Sequence, residues 1–131
     1  YLHSNTRLVE VPGLAALGGV GGSLSLANNP ALADLSGLGS LTAVGGSLEL
    51  FDNDSLSSLA GLERLRRVEL DVWISRDNVL QDVSALHGLR RVGDDLVITD
   101  NPTLPAEAVA ALLEALGTAV GGDVETGGNG P

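Results

Sequence analysis

The sequence predicts an α/β-type repeat fold: a right-handed parallel β-solenoid of 24-residue units, with one short helix near its C-terminal end. Three observations carry this. Val20, Val44, Val68 and Val92 recur every 24 residues and close successive units. Within the unit, apolar residues fall at positions 4, 6, 12, 15, 18, 21 and 24. Asn5, Asn29, Asn53, Asn101 and Asn129 all occupy position 9, with Asp77 standing in once. A fixed period of this length is the signature of stacked repeats, because one unit alone cannot bury its apolar face.

The units follow in order through a single domain spanning 1–131. Residues 1–20 read as a unit lacking its first four positions, and 21–44, 45–68 and 69–92 are complete. Residues 93–120 carry a four-residue insertion, and 121–131 form a terminal strand and tail. Positions 4 and 6 alternate with polar neighbours, as in Leu24/Leu26, Leu48/Leu50, Val72/Ile74 and Leu96/Ile98, which is a short strand with one buried face. The Gly-Gly pair before it permits a tight corner. The Asn after it ends the strand, and stacked Asn side chains can hydrogen-bond the backbone of neighbouring units. Leucines three apart then line the return segment. Parallel pairing of the strands at about 4.8 Å per unit makes a stack roughly 25–30 Å long.

The insertion reads as a helix from Pro105 to Leu116, with Pro in its first turn, Gly117 at its end and Thr103 as N-cap. Val109, Leu112, Leu113 and Leu116 make its apolar face.

Composition narrows the functional classes. There is no Cys, so neither a disulfide framework nor a Cys-based zinc site is available. Seventeen acidic residues against seven basic ones, all Arg, give a net charge of −10, which disfavours a nucleic-acid partner. At 44% hydrophobic the chain is not of disordered composition, and no run approaches a membrane-spanning helix, so no membrane insertion by this segment is expected. The chain opens inside a repeat, without an initiator Met, and reads as a piece of a longer or processed protein.

The pattern xxLxLxxNxxLxxLxGLxxLxxVGG resembles the receptor L-domain type of leucine-rich repeat. That group includes the ligand-binding L domains of insulin- and EGF-type receptors and fungal cell-wall proteins. The chain looks closer still to bacterial cell-surface proteins and lipoproteins with such repeats, and NPTLPAEAVAALLEALGTAVGGDVETGGN resembles their closing repeat. The resemblance implies an extracellular or cell-surface location on a bacterial envelope, and a protein or glycan partner.

Candidate functional residues are those that the repeat does not dictate. Strand positions 3, 5 and 7 point away from the core, and all three aromatics of the chain, Tyr1, Phe51 and Trp73, fall there. The candidate ligand-binding sheet face comprises Tyr1, His3, Glu49, Phe51, Asp71, Trp73, Ser75, Val97 and Thr99. Phe51 and Trp73 are its centre, being on adjacent strands within reach of one another, and Glu49, Asp71 and Asp95 form an acidic rim. Aromatics are enriched at interface hot spots, although they also simply favour strands and pair across them. The position-9 column of Asn5, Asn29, Asn53, Asp77, Asn101 and Asn129 is read as structural.

Other constellations are weaker. Arg66 and Arg67 stack over Arg90 and Arg91 with Arg64 nearby, an edge balanced by Glu63, Glu69, Asp94 and Asp95. The acidic turns at 52–54 and 100–101 lack a calcium-loop pattern, so no metal and no cofactor is expected. Asp34 and Asp82 read as turn caps. Phosphate-loop, nucleophile-elbow and zinc-protease signatures are missing, and His87 reads as an exposed loop residue. The expected function is therefore a non-catalytic recognition module. A passive surface spacer is the alternative. A polysaccharide-acting enzyme built on the column Asp71, Asp95 and Asp123 is the remote one. An open strand edge at the N-terminal unit invites end-to-end association.

Overall fold

The computed structural model describes residues 1–131. The chain forms two parallel sheets and one α-helix. The larger sheet has six strands, β1 (Leu2–His3), β3 (Leu24–Ala27), β5 (Leu48–Phe51), β7 (Val72–Ser75), β9 (Leu96–Thr99) and β10 (Val124–Gly127), paired in that order. The smaller has β2 (Gly19–Val20), β4 (Ala43–Val44), β6 (Arg67–Val68) and β8 (Arg91–Val92). Each strand pairs with the next at the same position of the sequence pattern: Leu24 with Leu48, Leu48 with Val72, Val72 with Leu96, and Leu96 with Val124.

One apolar column per position fills the space between the sheets. In residues 45–68 all seven patterned apolar side chains, Leu48, Leu50, Leu56, Leu59, Leu62, Leu65 and Val68, are fully buried. Each such leucine stabilises the fold by about 2 kcal/mol through burial alone. The ends differ from the middle. Leu2, Leu8, Leu14, Leu17 and Val20 are only partly buried, and Val124 in β10 stays 46% exposed, because no further strand covers either edge.

The helix α1 runs from Ala106 to Leu116 and buries Val109, Leu112 and Leu116, with Gly117 at φ +54° closing it. It packs beside the 3-10 segment Ser84–Gly88. Two sequence expectations change here. Pro105, with ψ 140°, is the N-cap rather than a residue of the first turn. Thr103 caps nothing in the helix: its hydroxyl lies 3.0 Å from both the Asn78 and Leu80 carbonyls, tying this unit to the one before. Asp34 and Asp82 do hold turns, accepting the backbone N–H of Ser36 and Ser84 at 2.6 and 2.8 Å. The Ser36 N–H and hydroxyl hold the Asp34 carboxyl below the usual range, and the Ser84 hydroxyl and N–H do the same for Asp82. No helix is long and apolar enough to cross a membrane.

Two side-chain ladders join the strand ends. At position 9 the side-chain oxygen accepts the N–H of the equivalent residue in the preceding unit: Asn29 from Asn5, Asn53 from Asn29, Asp77 from Asn53, Asn101 from Asp77 and Asn129 from Asn101. The amide Nδ2 groups of Asn29, Asn53, Asn101 and Asn129 donate to the carbonyls of Leu2, Leu26, Ile74 and Ile98. Before the strands a second ladder runs the other way. Ser47, Asp71, Asp95 and Asp123 each donate a backbone N–H to the side chain of Ser23, Ser47, Asp71 and Asp95 respectively. Between strand and Asn ladder the chain turns through a left-handed residue: Ser4, Asn28, Asp52, Arg76 and Asp100, directly after β1, β3, β5, β7 and β9, have φ between 55 and 59°.

Candidate functional site

The outer face of the six-stranded sheet is uneven because its residues differ greatly in size. Phe51 pairs across to Ala27 on one side and Ser75 on the other. Both of these small neighbours are buried. Trp73 pairs with Glu49 and Val97 and stands 47% exposed. Phe51 and Trp73 are thus diagonal neighbours, close enough to share a groove. That groove, of ≈330 Å³, is lined by Glu49, Phe51, Trp73, Ser75 and Arg76.

The aromatic neighbour of Phe51 is not Trp73 but His3, whose ring meets it edge-on at 6.4 Å. Tyr1 meets His3 in the same manner at 5.8 Å, and His3 Nε2 lies 2.7 Å from the buried Ser25 hydroxyl. From the other side the Arg76 guanidinium sits 5.7 Å from the Phe51 ring centre, within the range for cation–π attraction. Arg76 also grips Asp52 with two parallel bonds of 2.9 and 2.8 Å. The bond to Arg76 holds the Asp52 carboxyl below its ordinary value despite some burial, and the bond to Asp52 raises the Arg76 value in turn.

Of the sequence candidates, Glu49, Phe51, Trp73 and Ser75 come together around the groove, and Tyr1 and His3 continue it toward β1. Ser75, at 2% exposure, forms the floor of the groove. Val97 and Thr99 are half-buried on β9, beyond Trp73. Asp71 stands outside the groove and accepts the Asp95 backbone N–H at 3.1 Å and the Ser47 hydroxyl at 3.3 Å. Within that column the Asp71 and Asp95 carboxylates each accept the backbone N–H of the next member, Asp95 and Asp123. Arg76 and Asp52 escaped the sequence reading, although opposite charges 24 residues apart were the available signal.

Charge is segregated between the two sheets. Of the seven arginines, Arg64, Arg66, Arg67, Arg90 and Arg91 lie in or just before β6 and β8 on the smaller sheet. Arg91 pairs with Glu69 at 2.9 Å, and Arg66 donates to the Glu63 and Leu65 carbonyls. The only other ion pair is Arg76–Asp52. Glu49, Asp71, Asp95, Asp123 and Glu125 thus leave the larger sheet's face negative, with no cation paired to any of them. No group of three or more His, Asp or Glu side chains is arranged to hold a metal ion. Compared with protein-family models, curated proteins and solved structures, the chain matches none.

Proposed function

We propose that the chain is a right-handed solenoid of 24-residue, L-domain-like leucine-rich repeats, and that it serves as a non-catalytic recognition module at a cell surface. Its partner is a protein or glycan contacted through the outer face of the larger sheet. The observation that carries this reading is Trp73: a large aromatic half exposed in mid-sheet, at the lip of a groove it shares with Phe51. An exposed Trp beside a well-formed recess is the arrangement of an interface hot spot. Glu49 at the groove, with Asp71, Asp95, Asp123 and Glu125 elsewhere on the face and none of them in an ion pair, adds that the partner presents positive charge, which favours a Lys- or Arg-bearing polypeptide over a neutral glycan.

The reading has a direct test with two probe sets, immobilised envelope glycans and Lys/Arg-containing peptides. The native protein is expected to retain the peptides, less so at high salt. Trp73→Ala is expected to weaken retention by about 30-fold, the effect of a hot spot worth about 2 kcal/mol, while folding normally. Undiminished binding by a stably folded Trp73→Ala variant overturns the reading. Binding to neither probe set leaves the passive spacer as the better account.

A further inference from the structure

The position-9 ladder has one irregular member, and it lies under the groove. Asp77 is fully buried, and its Oδ1 accepts the Asn53 N–H at 2.8 Å, as an Asn at that place does. Its Oδ2 is buried with no partner. In the units with Asn, the atom at that place is an amide nitrogen donating to a backbone carbonyl of the preceding strand, such as Leu26 or Ile74. The equivalent carbonyl for Asp77 belongs to Leu50, at the same register position of β5. An ionised carboxylate only accepts, so it would set two acceptor oxygens against each other; a carboxylic acid has the one O–H that this place requires.

We propose that Asp77 retains its proton in the folded protein and donates it to the Leu50 carbonyl, so that this ladder step is closed in acid and opened in base. The step joins the end of β5 to the end of β7, and those two strand ends carry all five groove residues, Glu49, Phe51, Trp73, Ser75 and Arg76. Loss of the proton therefore loosens the groove. The inference rests on reading that groove as the recognition site.

The surroundings favour the protonated form. Burial is the main cause, raising the carboxyl from 3.8 to about 7, with the Asn53 N–H and side chain opposing and Asp52 and Asp54 adding repulsion. Arg76 on the same unit is the only nearby cation, and it is held bidentately by Asp52 and also faces Asp100. On the following unit, Asn101 Oδ1 accepts the Asp77 N–H. The sign follows from the raised value. Below about pH 4 both folded and unfolded chains are protonated there. Between about 4 and 7 only the folded chain holds the proton, so stability falls as pH rises; above about 7 the contribution is constant.

The test compares wild type with Asp77→Asn, whose amide supplies the missing donor at every pH. Ionisable groups common to both proteins cancel in the comparison. The folding equilibrium of Asp77→Asn is expected to gain on wild type by about 100-fold between pH 5 and pH 8. Trp73 emission is expected to change near pH 7 in wild type and not in Asp77→Asn. A stability difference that stays constant with pH, or a Trp73 signal that changes identically in both proteins, overturns the proposal. Neither measurement needs a partner, so a failed binding experiment leaves this result standing.

Discussion

Replacing Asn53 by Ala is expected to destabilise the protein by about 3–4 kcal/mol and to lower its Tm by roughly 10 °C. Asn53 is fully buried and serves two backbone groups that have no access to water: its Oδ1 accepts the Asn29 N–H at 3.3 Å and its Nδ2 donates to the Leu26 carbonyl at 3.1 Å. Alanine leaves both unpaired, and each unpaired buried polar group costs about 1–3 kcal/mol. The comparison is Asn5→Ala. Asn5 stands exposed at the open end, and its Nδ2 reaches its own strand at the His3 carbonyl. Its loss is expected to cost under about 1 kcal/mol. Denaturant melts of the two variants check the contrast, and near-equal effects would show that the ladder does not hold the middle units together.

Gly61→Ala is expected to cost about 3 kcal/mol or more, enough to deplete the folded state. Gly61 has φ +115°, a conformation side chains scarcely tolerate, and a Cβ there would overlap the Leu35 carbonyl. Both obstacles are backbone, so no rotamer change relieves them. Ala85, 24 residues further on, carries a methyl group where the chain runs as the 3-10 segment Ser84–Gly88. Gly13, 48 residues before Gly61, has open space where a Cβ would stand, so Gly13→Ala is expected to stay within about 0.5 kcal/mol of wild type. Thermal melts decide it, and a harmless Gly61→Ala would contradict the corner geometry.

Parallel sheets with a helix were legible because the information is periodic. Val44, Val68 and Val92 and the leucines between them report the spacing, and strand registers follow by placing like positions side by side. The Asn column was legible for the same reason. What escaped depends on differences between neighbouring units. Ser75 sits at a position that points away from the core, yet it is buried, with Phe51 as its partner across the strands. Arg76 joins the site only because Asp52 stands one unit before it. Thr103 was assigned to the helix beside it in sequence, whereas its acceptors belong to the unit before it in space. The odd acid among asparagines, Asp77, was visible as a substitution, but its missing partner was not. Local pattern thus reports the shared frame, and cross-unit pairs determine where it departs from uniformity.

The central claim is that the aromatic face of the larger sheet stands open to a partner, and the single Trp reports on it. Fluorescence of the native protein, with acrylamide as quencher, reads the surroundings of Trp73 alone. The half-exposed indole predicts red-shifted emission that acrylamide quenches readily. Blue-shifted, protected emission would mean that the face is already covered, and would contradict the claim.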